Sequence, residues 1–259
     1  MFNRRVVVDM KYMGSKNRIS GEIIPFIQEV LDSGEFEYIE PFVGGANLID
    51  KIENHSKIGS DINVFLINMW QRLQLGWSPR VDISKEEYSK YRDLSKTKDH
   101  PNDMMAEIGF IGFICSYGGR FYDGGYANIS GNRNYQQEAY RNIMKQVPDI
   151  LDVKFIFDDY RNLKFNSPSV IYCDIPYKGT KEYTEAGFDH EYFYSWVKER
   201  VKEGHHVFIS EFYMPDEFSE IWKKEVKSSL NKENVKVHVE KLFYLGDYDF
   251  NKCSIDEWL

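Results

Sequence analysis

The chain has 259 residues, 42% of them hydrophobic and 29% charged, with a formal net charge of −8, a composition that suits one large core or a core carrying a small inserted domain. No apolar run approaches the roughly 18 residues needed to span a bilayer, and the first residues (MFNRRVVVDMKYMGSK) lack an apolar stretch with a small-residue cleavage site, so no membrane contact and a cytoplasmic place are expected. Three scattered cysteines without a CxxC pair and six histidines without ligand spacing argue against a disulfide framework and against a metal, and none is expected.

In chain order, short apolar runs alternate with longer amphipathic segments, the pattern of an α/β sheet protein. Helices are predicted after Gly14, Gly45 and Asp61, near Asp189–Lys202 and over Asp216–Lys224. Strands are predicted at Tyr38–Phe42, Lys57–Ser60, Lys154–Phe157, Val170–Cys173, His206–Ile209, Val235–Phe243 and Ser254–Leu259. Residues 75–148 break this rhythm. They open with a turn-prone stretch, pass through a charged helical segment and reach SYGGRFYDGGYANISGNRNY, where glycines, aromatics and arginines show no core periodicity. A loop of that length inside a compact domain reads as functional. Between Gly112 and Lys145 four basic residues (Arg120, Arg133, Arg141, Lys145) face two acidic ones (Asp123, Glu138). That local excess is modest, and the acidic whole speaks against phosphate contacts in bulk. Any nucleic-acid reading must come from motifs.

Two segments carry chemistry. In Tyr38-Ile-Glu-Pro-Phe-Val-Gly-Gly-Ala-Asn47 a strand ends and two glycines make a tight turn. Glycine there lets the backbone approach a ligand closely; the other reading is a plain tight βα turn. Asp61, 21 residues after Glu40, ends the next strand, where an acidic residue commonly binds ribose hydroxyls. Together they favour an adenosine-containing ligand. Asp174-Ile-Pro-Tyr177 follows the strand Val170–Cys173. Its carboxylate could accept from an amino group and its aromatic ring could stack on a base, or the four residues could simply cap a strand before a proline turn. A nicotinamide oxidoreductase is disfavoured, because Gly44-Gly45 does not complete G-x-G-x-x-G.

With these residues in view, the chain resembles the Dam-type, D12 class of DNA adenine-N6 methyltransferases. Lys11-Tyr-Met-Gly-Ser-Lys16 resembles the family's K-[WY]-x-G-[GS]-K element, Glu40–Asn47 its E-P-F-x-G-[GA] loop, and Asp61-Ile-Asn63 its D-I-N. Asp174–Tyr177 resembles the D-P-P-Y motif, Arg120–Arg133 the target-recognition hairpin, and Lys252–Glu257 the closing K-x-x-x-D-E strand. Two departures stand out: Ile175 replaces the first proline of D-P-P-Y, and the hairpin has Asp123 where asparagine is usual, with an extra glycine. The target sequence is therefore open.

The resemblance implies an α/β class I S-adenosylmethionine-dependent methyltransferase fold, a Rossmann-like mixed sheet formed by residues 1–74 and 149–259. A small, mainly helical target-recognition insertion would cover 75–148. It implies S-adenosylmethionine as cofactor, held by Tyr12, Lys16, Glu40, Phe42, Gly44, Gly45, Asp61, Asp159 (with Asp158 as the alternative) and Asp174. Asp174, Ile175, Pro176 and Tyr177 would handle a flipped-out adenine of double-stranded DNA. Arg120, Phe121, Tyr122, Tyr126 and Arg133 would contact the DNA, and the loop Lys178–Phe188 with Tyr183 is a further candidate at the base. A monomer is expected. Rival readings are a catalytically impaired cofactor- or DNA-binding homologue, and an enzyme of the same fold acting on RNA adenine or protein glutamine.

Overall fold

A computed structural model describes residues 9–127, 129–130, 132–178, 187–231 and 234–250. The predicted strand Ser254–Leu259 and Tyr183 lie outside them. In chain order the elements are α1 (Ser20–Asp32), β1 (Glu37–Glu40), β2 (Lys57–Asp61), α2 (Val64–Gln74), α3 (Lys85–Leu94), α4 (Asn102–Ile114), β3 (Ile129–Ser130) and β4 (Arg133–Asn134). They continue with α5 (Tyr135–Gln146), β5 (Val153–Phe157), β6 (Ser169–Asp174), α6 (His190–Lys202), β7 (His206–Ser210), β8 (Ser219–Asn231) and β9 (Asn234–Leu245). The main sheet has seven strands, and β3 and β4 form a separate two-stranded ribbon. Among the described residues no helix is long and apolar enough to cross a membrane. The chain divides into two compact units, residues 1–24 with 40–163 and residues 25–39 with 164–259.

In the first unit β2 and β5 run parallel, with Lys57 opposite Val153 and Asp61 opposite Phe157, so Asp61 sits at the carboxyl end. Asn63 starts α2 by accepting from the Phe65 and Leu66 N–H groups, which satisfies donors that the first helical turn leaves orphaned. Helix α2 buries Phe65, Leu66, Met69, Trp70 and Leu73. Helix α4 is apolar around most of its circumference and buries Ile108, Phe110, Ile111, Phe113 and Ile114. A Cβ on Gly109 would run into the Phe65 carbonyl, so glycine is what lets α4 lie against α2. Ser84 and Glu87 cap α3 reciprocally. All of 75–148 belongs to this unit.

In the second unit β6 lies between β1 and β7, parallel to both, with Tyr38 opposite Val170 and Asp174 opposite Ser210. Strand β9 pairs antiparallel to β7 and to β8. An antiparallel strand inserted beside parallel ones gives the mixed sheet expected of the class I methyltransferase fold. Strands β6 and β7 are buried along nearly their whole length, as parallel strands covered on both faces are.

Two predicted helices take other forms. After Gly45 there is only the 3-10 turn Ile49–Lys51. The Gly45 and Ala46 carbonyls, which a helix would use for its own N–H groups, instead accept from Gln146 Nε2 at 3.0 and 2.9 Å, and Gly44 and Ala46 both have positive φ. The segment read as a helix over Asp216–Lys224 is the start of β8. Phe218, Ile221 and Trp222 have a helical spacing, yet the partner strand β9 captures the backbone, with Trp222 opposite Leu242; long-range pairing outweighs local pattern.

Candidate active site

The first unit assembles the motif residues of the N-terminal half around Asp61. One carboxylate oxygen accepts from Gly44 N at 3.2 Å and the other from Asn63 N at 2.9 Å. Burial pushes the Asp61 carboxyl up to about 6, while the Asn63, Gly44 and Ile62 N–H groups pull it back down. Acceptor capacity remains on the carboxylate, and the residue is only partly covered. A carboxylate held this way fits a vicinal diol such as a ribose. Ile62 beside it is 53% exposed, an apolar surface at the strand end that sequence reasoning missed.

The loop after β1 is fixed from several sides. Trp70 Nε1 donates to the Gly44 carbonyl at 3.1 Å, Val43 N donates to the Ser60 carbonyl at 2.8 Å, and Asn47 Nδ2 donates to Ser15 Oγ at 2.8 Å. The glycines serve a neighbour as much as a ligand: Cβ atoms on Gly44 or Gly45 would come within 2.7 Å of the Tyr12 side chain. Tyr12 also meets Phe113, centroids 5.5 Å apart. Lys16 is buried and donates to the Gly14 carbonyl at 3.0 Å, and Glu40 is buried. Phe42 packs on Tyr160 at 5.2 Å. Gln146 and Trp70 hold this loop and went unnoticed in the sequence; a glutamine at a helix end carries no pattern.

Asp159 lies just past the end of β5. Its side chain caps the turn Tyr160–Asn162, accepts from Arg161 N at 3.0 Å and pairs with the Arg161 guanidinium. The hydrogen bonds from Arg161 hold its carboxyl below the usual range. Asp158 accepts from Asp159 N at 2.8 Å and from Asn162 Nδ2 at 3.2 Å. Both carboxylates are thus engaged in local structure.

Within 75–148 the predicted DNA contacts separate. Arg120 is exposed. Arg133 is exposed too, but it grips Glu138 with two bonds of 2.6 and 2.7 Å and lies 4.7 Å over the Tyr135 ring. Phe121 stacks on Phe65 at 5.6 Å and meets Phe113 at 5.0 Å. Tyr122 is 7% exposed and donates to the Ile108 carbonyl, so it occupies a core position instead of the expected place against DNA. The Tyr126 hydroxyl donates to the Ile83 carbonyl. These aromatics shape the segment; Tyr117 beside them is exposed, at 44%.

In the second unit Asp174 ends β6, and Ile175 after it is buried. The Tyr177 hydroxyl donates to Glu240 Oε2 at 2.9 Å, and its ring stands edge-on to Phe212 at 4.5 Å. Burial, and after it the Asp174 and Glu240 charges, push the Tyr177 phenol well up. Tyr177 therefore stays a neutral, oriented ring. Glu211, fully buried, accepts from Lys178 N at 3.0 Å and Phe212 N at 2.6 Å. Glu211, Glu240 and Phe212 were missed. Glu211 follows the apolar strand His206–Ser210 just as Asp174 follows its own, a signal that was readable.

The model of the D12 class N6 adenine-specific DNA methyltransferases matches residues 12–241. The chain is similar to the retron Ec67 DNA adenine methylase of Escherichia coli, with 27% identity over 222 residues, 78% of this chain and 75% of that protein. Among solved structures it is similar to SMU.472, described as a methyltransferase and solved with SAH, at a TM-score of 0.37 and 12% identity. That match covers 90% of this chain and 53% of the other, so the chain spans about half of that structure's length.

Proposed function

The chain belongs to the D12 class N6 adenine-specific DNA methyltransferase family, and from that premise we propose how its residues divide the work. The observation that carries the assignment is the position of two carboxylates, Asp61 and Asp174, each at the carboxyl end of a parallel strand, where α/β sheets bind ligands. Asp61 takes the ribose hydroxyls, Ile62 offers apolar surface to the adenine ring, and Tyr12, Lys16, Phe42 and the Gly44-Gly45 loop complete the cofactor's surroundings. Bound S-adenosylmethionine supplies a methyl group already activated on a sulfonium.

Adenine N6 is a weak nucleophile because its lone pair is delocalised into the ring. Asp174 Oδ and the Ile175 carbonyl accept its two hydrogens and localise that lone pair. Isoleucine supplies the carbonyl as well as proline does, since only the backbone atom is used. The methylated nitrogen is cationic and gives up its proton readily, so no strong base is required; orientation and electrostatics carry the rate. The adenine of double-stranded DNA is flipped out to reach this place and stacks on Tyr177, whose ring Glu240 and Phe212 orient. Residues 75–148 recognise the target. Arg120 reads or grips the DNA, Arg133 joins it on exchanging Glu138 for phosphate, and Phe121, Tyr122 and Tyr126 hold the segment in shape. Labelled methyl transfer to DNA lacking adenine methylation tests the assignment. Transfer by the wild type that Asp174→Ala abolishes is the expected result, and an Asp174→Ala protein retaining more than a few per cent of the rate contradicts it, given the ~3 kcal/mol scale of a catalytic hydrogen-bond loss.

A further inference from the structure

We propose that His190 is a positioning residue for the catalytic turn, acting as a two-donor imidazolium clamp paired with buried Glu211. Its Nε2 lies 3.0 Å from the Pro176 carbonyl oxygen and its Nδ1 lies 3.1 Å from the Phe188 carbonyl oxygen. Both neighbours are acceptors only. A neutral imidazole has one N–H, so one of these contacts would set lone pair against lone pair. The imidazolium donates to both. Its charge has a partner, because Glu211 Oε2 is 3.8 Å from Nε2 and the two side chains are 13% and 0% exposed.

The clamp acts on the residues proposed above to meet adenine, and it rests on that reading. His190 holds the carbonyl just before Tyr177, and Glu211 holds the N–H just after it, on Lys178. The peptide units on both sides of Tyr177 are thereby fixed. Where the family motif has two prolines this chain has Ile175, and the lost ring constraint is offset by these bonds. The other titratable groups facing the clamp are Tyr194, whose ring is 6.3 Å from that of His190, Asp174, whose charge acts on Glu211, and Glu191 next in the chain.

The test uses the full chain in single-turnover methyl transfer with duplex DNA, comparing wild type and His190→Gln. His190→Gln should be slower by about tenfold to a hundredfold, the scale of a small misplacement of reacting groups, with unchanged S-adenosylmethionine affinity. A variant with the wild-type rate overturns the clamp. Nitrogen-15 NMR of the wild type's histidine rings decides independently of activity and of the variant's folding. Two slowly exchanging N–H signals on one ring, placed next to Phe188 by their cross-peaks, are expected; one signal or none there overturns the clamp. A wild type that shows both N–H signals but transfers no methyl would sink the functional reading and leave the clamp standing.

Discussion

At the scale of single residues, position in the strand decides role. Asp61 and Asp174 share a chemistry and a place, the last residue of a parallel strand, but the tasks proposed for them differ. A ribose contact is made equally in ground and transition states, so its loss shows in affinity. Asp61→Ala is expected to weaken S-adenosylmethionine binding by about 1–3 kcal/mol, the worth of hydrogen bonds to a charged group, with a smaller effect on the rate at saturating cofactor. Calorimetric titration checks it: unchanged affinity would place the ribose elsewhere. The motif residues stood out in the sequence because the family pattern they resemble sets both their type and their spacing. Phe121 and Tyr122 were legible only as aromatics. Whether such a ring faces DNA or the core depends on α4 just before it and on α2, which meets it from more than fifty residues back.

At the scale of elements, the apolar strands were readable because a strand buried on both faces needs an unbroken run of large apolar residues. The helix expected after Gly45 was not, since the competing donor, Gln146, lies about a hundred residues on. Strand β8 failed for the same kind of reason: its charged, helix-spaced sequence yields to pairing with β9. The packing of α4 on α2 turns on one glycine. Gly109→Ala would force a Cβ into the Phe65 carbonyl and is expected to cost about 1–3 kcal/mol, as overpacking of a tight core does. Urea unfolding measures it, and a variant as stable as the wild type would mean that the two helices part without cost. Because Asn63, which caps α2, lies two residues after Asp61, a shift of this pair should also lower cofactor affinity.

At the scale of the whole molecule, burial of carboxylates makes stability depend on pH. Burial, opposed by Lys51, pushes Asp50 up to about 6; its carboxylate contacts Lys51 at 2.8 Å and Gln146 at 3.1 Å. A group whose folded value is raised stabilises the fold fully below its unfolded value, 3.8, and that contribution is lost as pH rises through about 6. Asp50→Asn is therefore expected to flatten the decline of unfolding free energy between about pH 4 and 7 by on the order of 1–3 kcal/mol. Denaturant titrations across that range check it, and an unaltered slope would mean that the pair with Lys51 outweighs the burial.

The net acidity of the chain, −8, gave no hint of a DNA substrate, because whole-chain charge does not report on any one face. What the whole molecule does is tested most directly by mass spectrometry of nucleosides from unmethylated duplex DNA, incubated with the protein and S-adenosylmethionine carrying a deuterated methyl group. The expected product is N6-methyldeoxyadenosine bearing that label, absent when Asp174→Ala replaces the wild type. Label on cytosine, or on no nucleoside while the folded protein binds the cofactor, would contradict adenine N6 methylation by this chain.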